Sequence, residues 1–235
     1  MTSEPRAIFG NMIVEHSHAD VAAARIACGD LVASVLREAL AREARVGFVL
    51  SGGRNPAEIL PRLAATDLDW TRVAILPGDE RLVPDDDPDS NAGLALRAFA
   101  GAARAPRIWS LGARPPAPAE AAAVLAAAWA EFPPPAIAFL GIGTDGHVAS
   151  LFPGTDAATD DESVALATET PPAPHRHARV SLGMRPLLAC RRICLVVDGP
   201  EKTAAYRRAL VEPDRRAAPI AGLLRGAAQI DVFLA

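Results

Sequence analysis

The chain of 235 residues is half apolar and 22% charged, a composition typical of a globular protein and unlike that of disordered or fibrous chains. Its 24 basic and 28 acidic residues give a formal charge of −4 without a polybasic block, which argues against a nucleic-acid binder or a membrane-surface protein. The three cysteines are scattered, no uncharged apolar run approaches about 18 residues, and the N-terminus lacks a basic stretch followed by an apolar one. These features predict a cytoplasmic protein with no signal, membrane anchor or structural metal.

The first half of the chain alternates apolar runs with helical patterns. Residues 18–45 carry apolar positions at helical spacing and predict one long amphipathic helix. Short apolar runs follow at 46–50, 72–76, 107–111 and 136–142, and we interpret each as a strand. Helical patterns lie between them, from Pro56 through Ala65, from Asn91, and over 119–131. Alternation of this kind indicates a mostly parallel sheet.

The second half continues the alternation. Apolar runs predict strands at 163–168, 178–182, 192–198 and 229–235, with a helix from about Glu201 to Val211. The three proline clusters are too short to be interdomain linkers. The sequence therefore predicts one domain over residues 1–235, an α/β fold whose open, mostly parallel sheet has helices on both faces. Ligands of such sheets bind beyond the carboxyl ends of the strands, so the turns after 50, 76, 142 and 182 are expected to meet at one crevice.

A glycine turn follows the first of these strands. Ser51, Gly52, Gly53 and Arg54 lead into the helix that Pro56 opens. The glycines permit close approach of the backbone to a ligand, and free N–H groups at a helix N-terminus favour an anion. The segment lacks the spacing of a Walker loop, and an ordinary strand–helix turn is the alternative.

Charged residues follow the next strand. Asp79, Glu80 and Arg81 come directly after the run at 72–76, where ligands bind in this class of fold. The guanidinium of Arg81 has the forked geometry that grips a phosphate or a carboxylate. Exposed turns are also often charged, so the segment alone does not decide.

The segment 141–154, GIGTDGHVASLFPG, is the most informative. An apolar strand ends there in closely spaced glycines, with Asp145 and His147 inside the turn. A histidine at such a crevice can act as a general base near neutral pH, with the carboxylate orienting it. The alternative is a histidine that caps a helix or packs in the core. We expect the other four histidines to be structural or on the surface, namely His16, His18, His175 and His177.

A phosphate site is indicated further along the chain. Arg179 and Ser181 lie on a predicted strand, and Lys202, the only lysine of the chain, opens a helix. A guanidinium, a hydroxyl and a compact ammonium at the crevice suit a phosphate held together with the Ser51 turn. A composition biased toward arginine is the alternative explanation for the single lysine.

Taken in order, the blocks LSGGRNP, DERLVP with SN following, GIGTDGHVASLFPG, RVSL and GPEK resemble the 6-phosphogluconolactonase family. The match spans residues 50–202, and the histidine block is highly specific. The resemblance implies a three-layer, Rossmann-like fold shared with sugar-phosphate isomerases. It further implies hydrolysis of 6-phospho-D-glucono-1,5-lactone to 6-phosphogluconate in the pentose phosphate pathway, without a metal or organic cofactor. It leaves the oligomeric state open.

The resemblance also implies roles for particular residues. His147 and Asp145 are expected to be catalytic. The expected substrate-binding set is Ser51, Gly52, Gly53, Arg54, Asp79, Glu80, Arg81, Asn91, Gly143, Arg179 and Lys202.

Two alternatives share this fold. Glucosamine-6-phosphate deaminases resemble the chain at the glycine turn, at Arg179 and at Lys202, but their pattern continues with Phe-Asn-Glu-Pro where this chain has Ser-Leu-Phe-Pro at 150–153. Deamination needs that extra acid–base carboxylate and lactone hydrolysis does not, so its absence favours the lactonase. The other alternative is a non-catalytic sugar-phosphate sensor, against which the retained His147 argues.

Overall fold

The structure, a computed structural model, describes residues 2–8 and 11–235, with side chains from Met12 onward. The strands are β1 (Thr2–Ile8), β2 (Asn11–Ser17), β3 (Val46–Leu50), β4 (Val73–Pro77), β5 (Asp79–Arg81), β6 (Arg107–Ile108), β7 (Pro135–Leu140), β8 (Ala165–Thr168), β9 (Arg179–Leu182), β10 (Ile193–Val197) and β11 (Gln229–Leu234). The helices are α1 (Val21–Leu40), α2 (Arg54–Ala64), α3 (Asn91–Phe99), α4 (Pro118–Ala130), α5 (Met184–Leu188), α6 (Pro200–Val211) and α7 (Pro219–Gly226).

The main sheet has eight strands in the order β1-β2-β11-β10-β7-β3-β4-β6. Strand β1 pairs antiparallel with β2, and every other neighbouring pair is parallel. The predicted mostly parallel α/β sheet is therefore confirmed. The order also explains why β3, β7 and β10 are apolar at nearly every position, because central strands of such a sheet are buried on both faces.

Two hydrophobic clusters lie on opposite faces of this sheet. On β10, Ile193 and Leu195 join the cluster covered by α4, α5, α6 and α7, whereas Cys194 and Val196 join the one covered by α1, α2 and α3. Successive side chains of a strand point to opposite faces, so one apolar run supplies both clusters. Of the helices in the described part of the chain, none is both long and apolar enough to span a membrane.

Several predicted elements have different boundaries or partners. The long helix ends at Leu40 and not at residue 45, because Arg72 donates to the carbonyl oxygens of Leu40, Glu43 and Ala44 and holds the chain in a turn. The run at 107–111 forms only the two-residue edge strand β6, which has a partner on one side alone. The short helices α5 and α7 and the hairpin of β1 and β2 were not predicted.

The largest difference is a second, antiparallel sheet in the order β5-β9-β8. The predicted turn at 79–81 is strand β5, and the strands expected at 163–168 and 178–182 belong here rather than to the main sheet. The two sheets meet at Gly78, whose N–H donates to Leu50 O (2.8 Å) and whose carbonyl accepts from Leu182 N (2.8 Å). This junction brings Arg179 on β9 to the carboxyl ends of β3 and β4.

Candidate active site

A cavity of about 150 Å³ opens at the carboxyl ends of the central parallel strands. Segments that follow β3, β4, β7 and β10 reach it, and β9 supplies a side chain from the second sheet. The turn after residue 182 does not reach it, contrary to expectation. The lining residues are Ser51, Gly52, Asp79, Arg81, Asn91, Gly141, Ile142, His147, Ala149, His175, Arg179 and Lys202.

The glycine turn after β3 is packed directly against the start of α3. A Cβ on Gly52 would lie 1.6 Å from Asn91 Oδ1, so only glycine permits this approach. The Asn91 amide is held by its own bonds, accepting from Arg81 Nη1 (2.5 Å) and donating to Asp79 O (2.6 Å). The neighbouring Ser51 hydroxyl is buried and has no hydrogen-bond partner among the described residues. The turn therefore contributes a wall residue whose hydroxyl is unpaired among the described residues.

Asp79 organises the basic side of the cavity from a buried position. Its Oδ2 accepts a 2.6 Å hydrogen bond from Ser150 Oγ and lies 3.4 Å from Arg179 Nη1. Ser150 belongs to the segment that contains His147, so this carboxylate ties together β5, β9 and the histidine turn. Burial lowers the pKa of Arg179, and the charge of Asp79 opposes that effect. Arg179 is thus fixed by a salt bridge rather than free in solvent.

Glu80 does not line the cavity, in contrast to the prediction that it binds substrate. Its carboxylate instead holds the N-terminus of α3, accepting from Asn91 N (2.8 Å) and Ala92 N (2.6 Å). Burial raises the pKa of Glu80 to about 7, although three backbone N–H groups act in the opposite direction. Adjacent strand residues point to opposite sides, so Asp79 and Glu80 have different environments.

The histidine turn after β7 holds its imidazole in one orientation. His147 Nδ1 donates to Asp145 Oδ1 over 2.7 Å, and the same oxygen accepts from the backbone N–H of His147 (3.1 Å). Burial acts to raise the pKa of Asp145, but these bonds from His147 outweigh it and lower the pKa to about 2. Because Nδ1 carries the proton, Nε2 of the neutral ring is left as the basic nitrogen.

Close packing supports this turn from behind. A Cβ on Gly143 would lie 2.1 Å from His147 Nδ1, so the glycine makes room for the imidazole and does not itself line the cavity. The carbonyl of Gly146 accepts from Ile220 N on α7 (3.0 Å), and Arg208 on α6 donates to Thr144 O (3.0 Å). The turn is therefore anchored to two helices.

The chain's single lysine borders the cavity at the start of α6. Lys202 Nζ donates to Asp198 Oδ1 over 2.6 Å. Arg54 approaches the other oxygen of Asp198 only to 4.0 Å, and its side chain is 85% exposed. Gly53 and Arg54 are absent from the cavity wall, so the structure does not bring them to the other predicted substrate-binding residues.

His175 is a cavity residue that sequence reasoning missed. It precedes β9 in a proline-rich loop and was expected to be structural or on the surface. Its ring lies against that of His147, with centroids 5.3 Å apart, and both rings contact Phe152. The sequence indicates a cavity position for His175 only through its closeness to the predicted strand that carries Arg179.

Together these groups make a basic cavity with a fixed histidine at its wall. Arg81, Arg179 and Lys202 supply three cations against the single lining carboxylate of Asp79. Such a site suits an anionic ligand. Within the part of the chain that the structure describes, no group of three His, Cys, Asp or Glu side chains is placed to hold a metal ion.

The fold and this site are those of a class of enzymes that act on sugar phosphates. The chain belongs to the glucosamine-6-phosphate isomerase/6-phosphogluconolactonase family, whose profile matches residues 19–232. It is 39% identical over 202 residues to the 6-phosphogluconolactonase of Pseudomonas aeruginosa, covering 83% of this chain and 84% of that protein.

Solved structures show the same relationship. The 6-phosphogluconolactonase of Shewanella baltica OS155 superposes with a TM-score of 0.85 at 30% identity, covering 94% of this chain and 96% of that one. A monomeric glucosamine-6-phosphate deaminase superposes with a TM-score of 0.74 at 16% identity, covering 94% and 96%. The deaminase shares the fold alone, so the site must separate the two activities.

Proposed function

We propose that this chain is a 6-phosphogluconolactonase that hydrolyses 6-phospho-D-glucono-1,5-lactone to 6-phosphogluconate in the pentose phosphate pathway. The observation that carries the proposal is the fixed Asp145–His147 pair at the wall of a basic cavity. The residues where deaminases carry Asn-Glu are Leu151 and Phe152, both buried and apolar. The turn therefore offers one acid–base group, which lactone hydrolysis needs, and lacks the second carboxylate of a deaminase.

In the proposed mechanism, His147 Nε2 takes a proton from a water molecule as the water oxygen attacks lactone C1. The C1–O5 bond then breaks, and the protonated His147 returns the proton to O5. Asp145 keeps the proton on Nδ1 and stabilises the transient imidazolium. Transfer of that proton to O5 leaves His147 neutral again, and the carboxylic acid of the product loses its own proton to solvent.

We assign the phosphate to the cations and the glycine turn. Arg179 and Lys202 are each held by a carboxylate, and Ser51, whose hydroxyl has no partner among the described residues, lines the same cavity. Arg81 and Asn91 complete the wall and serve the sugar hydroxyls or the developing carboxylate. Arg54 is left as an exposed cation outside the cavity wall and Glu80 as a structural residue.

A coupled assay with 6-phosphogluconate dehydrogenase on freshly prepared lactone tests the reaction. His147→Ala is expected to lower kcat by about 10²–10⁴ with little change in KM. His18→Ala is the matched control, because His18 stacks on Phe233 and does not line the cavity. A His147 variant that kept more than about a tenth of the wild-type kcat would overturn the assignment.

The phosphate assignment is tested by Lys202→Ala. A charge-assisted hydrogen bond present in both ground and transition states contributes uniform binding, so KM is expected to rise about 10- to 100-fold with kcat nearly unchanged. On unphosphorylated gluconolactone the same variant should match the wild type. Equal efficiency of the wild type on both lactones would remove the case for a phosphate site.

The two alternatives have distinct outcomes in the same assays. A deaminase would release ammonia from glucosamine 6-phosphate, and a sensor would bind 6-phosphogluconate without accelerating hydrolysis above the spontaneous rate.

We also infer that the chain is one domain, since both hydrophobic clusters pack on a single sheet. A cytoplasmic location is supported by three cysteines that are free and buried, as a reducing compartment favours.

A further inference from the structure

His175 shares the cavity with His147 and is held by ring packing. The two imidazoles meet edge to face at an interplanar angle of 86°. Phe152 lies 5.1 Å from the first ring and 5.0 Å from the second, centroid to centroid, and is itself buried. The three rings therefore fix the separation of the two histidines.

A second contact determines where the His175 proton lies. Arg179 Nη2 lies 3.2 Å from His175 Nδ1, and a guanidinium can only donate, so Nδ1 must accept. The neutral ring then carries its proton on Nε2, which has no hydrogen-bond partner among the described residues. Burial and the neighbouring charges of Arg179 and Arg81 lower the pKa of His175, a protonated His147 would lower it further, and Asp145 only partly opposes these effects. At neutral pH His175 is therefore an uncharged donor with a free N–H.

The spacing of the rings suits a shared carbonyl group. A water bound to His147 lies about 2.8 Å from the nitrogen, and the donor to an oxyanion lies about the same distance from that oxygen. The water and the oxygen flank one carbon atom. The base and the donor must therefore lie a few ångströms apart. The ring centroids of His147 and His175 are 5.3 Å apart, which meets this requirement.

Resting on the proposed lactonase reaction, we propose that His175 is a second catalytic residue, which donates a hydrogen bond from Nε2 to the carbonyl oxygen of the lactone. The bond strengthens as the oxygen becomes an oxyanion during attack at C1 and weakens when the C1–O5 bond breaks. No proton is transferred in this interaction, and His175 stays neutral throughout. A neutral imidazole polarises a carbonyl effectively when its surroundings fix it as a donor.

Two substitutions separate the donor from the ring. His175→Phe keeps an aromatic ring against His147 and Phe152 but removes the N–H. His175→Gln restores an N–H donor without the ring. The matched control is His18→Phe, because His18 stacks on Phe233 and does not line the cavity.

Steady-state kinetics on fresh lactone give the readout. His175→Phe is expected to lower kcat about 10²- to 10³-fold, as loss of one oxyanion donor does, with KM changed less than about threefold. His175→Gln is expected to have a kcat at least about tenfold above that of His175→Phe, and His18→Phe is expected to match the wild type. Thermal unfolding confirms that each variant is folded. The ¹⁵N spectrum of the wild-type imidazoles at pH 7 should show His175 protonated on Nε2 and not on Nδ1.

The opposing results are equally defined. The proposal is overturned by a His175→Phe variant with near wild-type kcat, by one whose only defect is a raised KM, or by a glutamine variant no faster than phenylalanine. Protonation of His175 on Nδ1 would also overturn it. Failure of the wild type itself to hydrolyse the lactone would refute the proposed function instead, and the spectrum would still report the His175 proton.

Discussion

Replacement of Glu80 by glutamine is expected to remove a pH-dependent part of the protein's stability. The side chain is only 1% exposed, and its carboxylate accepts from Arg81 N, Asn91 N and Ala92 N at the start of α3. Burial raises its pKa from 4.5 to about 7 despite these bonds, and the neighbouring charge of Asp79 adds to the rise. The carboxylate is therefore less stable in the folded protein than in the unfolded chain.

The sign of the pH dependence follows from proton binding. Between about pH 4.5 and 7 the folded protein retains a proton that the unfolded chain has lost, so the free energy of unfolding falls as the pH rises through this window. The stabilising contribution is complete below pH 4.5 and is lost above pH 7. A shift of this size corresponds to about 3 kcal/mol, of which about 2.5 kcal/mol falls between pH 5 and pH 8.

Urea unfolding of the wild type and Glu80→Gln at pH 5 and pH 8 measures this pH-dependent contribution to the free energy of unfolding. Glutamine at position 80 keeps an oxygen that accepts from Arg81 N and Asn91 N, but its amide nitrogen cannot accept from Ala92 N. The stability lost with that hydrogen bond in the variant is the same at both pH values. The stability of the variant relative to the wild type should therefore rise by about 2.5 kcal/mol from pH 5 to pH 8. Glu58→Gln, at an exposed position on α2, is the control for the substitution itself. A constant difference between wild type and Glu80→Gln at the two pH values would refute the reasoning.

Three further predictions concern the site. Gly52→Ala should displace Asn91, because the added Cβ would overlap its amide oxygen, and raise KM; an unchanged KM would contradict the packing argument. Asp145→Asn should lower kcat at least about tenfold by destabilising the His147 tautomer, as the pH–rate profile would show, and full activity would exclude the orienting role. Exhaustive EDTA treatment should leave activity intact without gain from Mg²⁺, Mn²⁺ or Zn²⁺; restoration by one of them would reveal a metal site.

The central strands and the histidine turn were predictable because their signals are local. Strands β3, β7 and β10 are continuous apolar runs since helices cover both faces, and that environment leaves a trace in every residue. The close spacing of Gly143, Asp145 and His147 likewise comes from contacts within a single turn. Patterns of this kind need no knowledge of distant partners.

The second sheet and the true position of Glu80 were not predictable, because they depend on contacts between distant segments. Strand β5 is only three residues long and charged, and it becomes a strand by pairing with β9 about a hundred residues away. Nothing in the sequence Asp79-Glu80-Arg81 indicates that the middle carboxylate points away from the crevice toward α3. His175 was missed for the same reason, since its partners His147 and Arg179 are set by the fold.

One position connects the choice of reaction with the arrangement of the two histidines. Phe152 occupies the place where deaminases carry the glutamate of their Phe-Asn-Glu-Pro segment, and it is buried against the rings of His147 and His175. A carboxylate there would add a second titrating group beside His147 and would attract a proton to His175. A phenyl ring does neither, which suits the proposed reaction, in which His147 acts as the base and His175 stays neutral. The same residue therefore favours the proposed lactonase reaction over that of a deaminase.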